Sequence, residues 1–141
     1  MKLEKGKSYE QLEIGESASF SKTITESDVY LFAGISGDFN PMHVNEEYSR
    51  NTQFKSRIAH GPLVQGIIAA VLGTKLPGLG TIALELFCRF NAPVYFNDTI
   101  TATAEVSEKL HEKKWIKMKL SWINQNNKLV AQGEALVMPP S

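Results

Sequence analysis

Several kinds of chemistry are excluded by what the sequence lacks. It has one cysteine, Cys88, in 141 residues, so no internal disulfide can form. Cys88 lies in the apolar run Leu84-Glu85-Leu86-Phe87-Cys88 and reads as a small core hydrophobe, with no base at recognisable spacing to make it a nucleophile. There is no net charge: 15 basic residues cancel 15 acidic ones, which gives no general attraction to nucleic acid or to anionic lipid. The longest apolar stretch, Ile67 to Gly73, falls far short of the roughly 20 residues a membrane-spanning helix needs. The N-terminus, Met1-Lys2-Leu3-Glu4-Lys5, is charged and lacks the apolar segment of a secretory signal, so a reducing cytoplasm is the expected location. There is no glycine-rich phosphate loop and no G-x-S-x-G. The three histidines have no metal-ligand spacing among themselves, so neither a metal nor a cofactor is expected.

What is present is an ordinary globular composition, 43% hydrophobic and 21% charged, without repeats or linkers. Residues 1–141 are expected to form a single domain. The first half is helical and rich in loops, the second half rich in strands. Glu16 to Ile24 reads as a strand. Thr25 is placed to cap a helix whose first turn carries Glu26 and Asp28, whose apolar positions are Val29, Leu31, Phe32 and Ile35, and which stops at Gly37. Asn45 can cap a short helix through Tyr48. Gly61-Pro62 opens the most apolar helix of the chain, running to Leu72; apolar residues cover almost its whole circumference, which predicts a fully buried helix. Strands follow over Thr81–Asn91, Thr99–Leu110, Lys114–Asn124 and Leu129–Met138. The middle two alternate Ile100, Ala102, Ala104, Val106 and Ile116, Met118, Leu120, Trp122 with polar residues, the signature of antiparallel sheet with one wet face. A sheet curled around the apolar helix would bury both, an α+β solution.

Three places can carry chemistry. Asp38 and His43 are five residues apart in Asp38-Phe39-Asn40-Pro41-Met42-His43. The fixed φ of Pro41 helps to hold both side chains on one side of the turn, where a carboxylate and an imidazole can share one water molecule. The same spacing also fits an Asx-type turn closed by Asp38, with His43 on the surface. At His60-Gly61-Pro62 the start of the apolar helix offers unpaired N–H groups. Pro62 has none to give, so the Gly61 N–H is the local donor for a developing oxyanion. His60 reads as a histidine hydrogen-bonded to backbone that forms a wall of the pocket. His111 lies in the charged stretch Glu108 to Lys114, a solvated connection between strands.

Gly37-Asp38-Phe39-Asn40-Pro41-Met42-His43, then Ile58-Ala59-His60-Gly61, then Leu72-Gly73 with Leu76-Pro77-Gly78, then Phe90-Asn91-Ala92-Pro93-Val94 resemble, in order and approximate spacing, the R-specific enoyl-CoA hydratases of the MaoC-like group. The resemblance runs from about Phe20 to the last strand. It implies a hot-dog fold, a curved antiparallel sheet wrapped around a long central helix, and a homodimer that binds an acyl-CoA thioester along the subunit interface. It implies Asp38 and His43 as the catalytic pair, the Gly61 N–H as donor to the thioester carbonyl, and Asn40, His60 and Pro62 as lining of the pocket. Reversible syn addition of water to a trans-2-enoyl-CoA would give an R-3-hydroxyacyl-CoA. The chain differs from the group's common pattern at Pro62, where methionine is usual, at Ile68-Ala69-Ala70, which lacks a polar residue, and at Glu85-Leu86.

Two other functions fit such a fold. A hot-dog thioesterase would need a carboxylate on or beside the central helix, and Gly61 to Thr74 contains neither Asp nor Glu. A non-catalytic acyl-CoA-binding protein would leave Asp38 and His43 dispensable.

Overall fold

The computed structural model describes residues 1–141. In chain order the elements are β1 (Ser17–Thr23), α1 (Glu26–Ser36), α2 (Pro41–Val44), α3 (Glu46–Arg50), α4 (Gly61–Gly66), α5 (Ile68–Thr74), β2 (Ile82–Phe90), β3 (Thr99–Leu110), β4 (Trp115–Ile123) and β5 (Leu129–Met138). One five-stranded sheet has the order β1-β3-β4-β5-β2, with every pair antiparallel.

Period-two alternation fixes the faces of this sheet. Ile100, Ala102, Ala104 and Val106 on β3, with Ile116, Met118, Leu120 and Trp122 on β4, point inward and are buried. They share a single core with Val64, Ile67, Ile68, Val71 and Leu72 from the two helices. The alanines of the inner face leave room for the helices to approach. On the outer face of β1 and β3 hydroxyls pair across the strands: Ser19 with Thr103 at 2.7 Å, Ser21 with Thr101 at 2.6 Å and Thr23 with Thr99 at 2.7 Å. On β5, a Cβ at Gly133 would collide with the Phe87 carbonyl, so only glycine admits β2 this closely.

The expected α1 is present with its stops. Thr25 accepts from the Asp28 N–H while Asp28 reaches back to the Thr25 N–H, and Gly37 ends the helix at φ 81°, where a Cβ would be strained. Only Val29 and Ala33 of its apolar residues are buried; Leu31 and Ile35 are exposed.

The central helix differs from expectation in two ways. It is not continuous, because α4 and α5 meet at Ile67. Nor is it buried all round. Pro62, Gly66 and Ala69 are exposed and Gly73 half-buried, a stripe of small residues facing outward. β2 is likewise open. It is an edge strand, and Ile82, Leu84, Leu86, Phe87 and Phe90 are all exposed. Apolarity of sequence identified these surfaces as ones to be covered, but within one chain nothing covers them.

Candidate active site

Asp38 lies between α1 and α2, where its atoms are held by three contacts. Its N–H donates to Ser36 Oγ (3.1 Å), its Oδ1 accepts from the Asn40 N–H (3.1 Å), and its main-chain oxygen accepts from His60 Nε2 (2.9 Å). The Asx-type turn is therefore real, and it uses only one carboxylate oxygen. Oδ2 faces His43 Nε2 at 3.8 Å. That is too long for a direct hydrogen bond and suits a water molecule hydrogen-bonded to both.

His43 is brought there by α2. Asn40 caps this single turn by accepting from the Met42 N–H at 3.2 Å, and Pro41 opens it. Ser49, fully buried, has the Asn45 carbonyl oxygen 2.8 Å from its hydroxyl and the Met42 and Pro41 oxygens at 3.2 and 3.3 Å, so its one hydrogen has an acceptor on the α2 side in every orientation. His43 is 7% exposed. Its Nδ1 lies 2.7 Å from the Ile58 carbonyl oxygen, an atom that only accepts, so Nδ1 carries the hydrogen and Nε2 presents a bare lone pair toward Asp38. Burial holds its pKa below 6.5. The bond to Ile58 and the charge of Asp38 oppose that shift, and His60 adds to it.

Behind His43 stands His60, fully buried, with ring centroids 3.9 Å apart and planes inclined by 27°. Asp38, His43 and His60 place a potential ligand atom each within 4.8 Å of one another. A zinc ion would need lone pairs converging at about 2.0–2.1 Å. Two stacked rings at so shallow a tilt do not converge, and one nitrogen of each is already bonded to a carbonyl.

A cavity of about 380 Å³ opens beside His43; Asp38 does not line it and reaches it only across His43 Nε2. His43 and Gly61 lie in its wall, with apolar surface from Phe54, Val64, Phe90 and Val130, and no carboxylate. Gly61 begins α4, so its N–H has no intrahelical acceptor, and it donates to no other group of the chain. A Cβ on Gly61 would lie 2.8 Å from Cζ of Phe90. Asn40, His60 and Pro62, expected in the pocket wall, do not line this cavity. Asn40 is turned to its cap, His60 is sealed behind His43, and Pro62 is on the exposed side of α4. His111 is exposed in the β3–β4 turn.

Sequence patterns gave no sign of Ser49, of the Ile58 carbonyl, or of Arg57. The Arg57 guanidinium pairs with Glu46 and Glu26, each at 2.7 Å, also bonds Tyr30, and lies over the Phe96 ring, fastening α1 and α3 to the segment that leads to His60. No local signal marks a main-chain carbonyl as a histidine's partner.

The model of the MaoC like domain matches residues 10–127. The chain belongs to the MaoC-like family. It is 50% identical to an (R)-specific enoyl-CoA hydratase of Rhodospirillum rubrum over 94% of this chain and 92% of that one. It is 39% identical to a 3-hydroxybutyryl-CoA dehydratase of Methylorubrum extorquens, over 94% and 83%. Among solved structures, an unliganded R-hydratase of Pseudomonas aeruginosa superposes with a TM-score of 0.91 at 43% identity, covering 97% of this chain and 88% of that one. An (R)-hydratase of A. caviae superposes with a TM-score of 0.89 at 35% identity, covering 92% and 98%. The sheet wrapped on α4 and α5 is thus the hot-dog fold. No helix is long and apolar enough to cross a membrane.

Proposed function

We propose that this MaoC-like protein is an R-specific enoyl-CoA hydratase, a lyase that reversibly adds water to a trans-2-enoyl-CoA to give an R-3-hydroxyacyl-CoA. The observation that carries this reading is the His43 Nε2 lone pair, 3.8 Å from Asp38 Oδ2, on a histidine that lines one cavity together with Gly61, whose N–H has no acceptor in the chain. The similarity to hydratases and dehydratases of CoA thioesters supports it.

In this reading the acyl chain enters the apolar cavity and the thioester oxygen meets the Gly61 N–H. A water between Asp38 and His43 is oriented by the carboxylate and gives a proton to His43 Nε2 as its oxygen bonds to the β-carbon. The electrons of the double bond move toward the thioester oxygen, where the Gly61 N–H stabilises the enolate. The proton then returns to the α-carbon from the same pair, on the same face, so one molecule of water is added syn and nothing else is consumed. Neither α4 nor α5 offers a carboxylate to attack or activate water at the carbonyl, which separates this site from a thioesterase.

The working unit in this proposal is a homodimer. The exposed apolar edge strand β2 and the small-residue stripe of α4–α5 are both surfaces that a second copy would cover. Phe90 lines the cavity and is itself half exposed on that edge, so a partner would also close the acyl site. A reducing cytoplasm suits the free Cys88 thiol, whose pKa burial raises. The deciding experiment follows loss of enoyl-thioester absorbance across an acyl-length series, with chiral analysis of the product. An S-configured product, or no hydration at any length, overturns the proposal.

A further inference from the structure

His60 has two ring nitrogens in unequal surroundings. Nε2 lies 2.9 Å from the main-chain oxygen of Asp38, 22 residues earlier. A carbonyl oxygen only accepts, so Nε2 carries the hydrogen and Nδ1 a bare lone pair. Nδ1 is sealed from solvent and has no partner. An unpaired buried nitrogen is unfavourable, and a phenyl ring at this position would avoid it. What the imidazole supplies and a phenyl does not is the one N–H aimed at Asp38. The ring also has two occupied faces: Phe32 packs at a centroid distance of 4.8 Å, and His43 at 3.9 Å.

We propose that His60 is a positioning residue for the hydration step: its Nε2–H fixes the main chain of Asp38 while its ring face sets the plane of His43, so one buried side chain registers both members of the pair against the same water. This rests on the hydratase reading. The two partners differ in how they are otherwise held. His43 has its own anchor in the Ile58 carbonyl. Asp38 has a side chain 48% exposed, and its remaining bonds go to Ser36, the last residue of α1, and to Asn40, the cap of α2. The N–H of His60 is the bond that ties this α1–α2 connection to the protein interior. Without it the Asx turn stays closed and swings as a unit, and the distance from carboxylate to imidazole is what changes. A misplacement of about 1 Å in a reacting constellation costs on the order of 10²-fold in rate.

The test uses the full-length chain and crotonyl-CoA. His60→Phe keeps a flat ring and removes the N–H; His60→Gln keeps an amide N–H at similar reach and removes the ring. In folded His60→Phe, kcat is expected to fall on the order of 10²-fold, while KM stays within about threefold because the acyl cavity is untouched. His60→Gln is expected to keep more of kcat than His60→Phe. Because the effect runs through Asp38, adding His60→Phe to Asp38→Asn is expected to cost little further. A folded His60→Phe whose kcat is within about threefold of wild type overturns the proposal, as does full additivity with Asp38→Asn. Should His60→Phe fail to fold, ¹⁵N-histidine NMR of the wild-type protein decides. The expected state is a hydrogen on Nε2 of His60 and on Nδ1 of His43; a hydrogen on Nδ1 of His60 overturns the proposal. A wild-type chain that hydrates no enoyl-CoA brings down the hydratase reading and this one together, whereas an active wild type with an unaltered His60→Phe brings down this one alone.

Discussion

The imidazoles of His43 and His60 lie face to face at 3.9 Å, and each gives its single N–H to a main-chain carbonyl, His43 to Ile58 and His60 to Asp38. Both tautomers are set by atoms that only accept. The nitrogen left facing Asp38 Oδ2 is therefore the basic one.

Asp38→Asn and His43→Ala are each expected to lower crotonyl-CoA hydration by about 10² to 10⁴-fold, the range of a positioned acid or base. Asp38 has a side chain 48% exposed, and an amide oxygen can still accept from the Asn40 N–H, so Asp38→Asn should fold normally. Initial rates beside circular dichroism check this. Normal rates in either folded variant would overturn the assignment of Asp38 and His43 as the acid–base pair.

Burial holds the pKa of His43 below its ordinary 6.5, so the base stays unprotonated to lower pH than a free histidine. The acidic limb of kcat/KM is expected below pH 6.5. Because the charge of Asp38 pulls the pKa upward, Asp38→Asn should move the limb of its residual activity further toward acid. Stability follows the same group. Below pH 6.5 the unfolded chain takes up the proton and the folded chain resists it, so His43 stabilises the fold above pH 6.5. That contribution falls between pH 6.5 and the lower folded value. Thermal melts of wild type and His43→Gln across this interval should converge as the pH drops; parallel curves would contradict the assignment.

Gly61→Ala places a Cβ 2.8 Å from the Phe90 ring. Either the ring or the start of α4 must give way, and the N–H proposed to meet the thioester oxygen moves with it. The expected loss in kcat/KM is on the order of 10²-fold, since such a donor acts only at its designed position. Gly61→Ala with Phe90→Leu relieves the contact and should recover part of the rate. No recovery would assign the loss to something other than this collision.

Much of the fold was legible from the sequence because its signals are local. β3 and β4 alternate with period two since one face is wet and the other dry, and Thr25, Gly37 and Asn45 sit where their side chains or φ angles require. The candidate pair was less legible. The spacing from Asp38 to His43 admits a surface turn, and what turns His43 inward is the Ile58 carbonyl, 15 residues away and without a side-chain signature. The location of His60 behind His43, outside the cavity wall, is a tertiary fact of the same kind. The break at Ile67 and the open face of α4–α5 were missed because an apolar residue shows that a surface needs covering, not which chain covers it.

That open face adjoins an equally open β2 edge. An edge strand with free backbone groups and exposed Leu86 and Phe87 would drive aggregation if nothing covered it. A second copy pairing β2 with β2 antiparallel gives a closed, two-fold arrangement with no edge left over at that side. Light scattering of the wild type is expected to give twice the chain mass. The variant Leu86→Glu with Phe87→Glu places like charges at the same edge of both copies and should give a monomer. Since Phe90 lines the cavity from this strand, that monomer should also lose activity, by about tenfold or more as the acyl site opens to water. A wild type of single-chain mass at micromolar concentration would refute the dimer, and a fully active monomeric variant would separate the dimer from the acyl site.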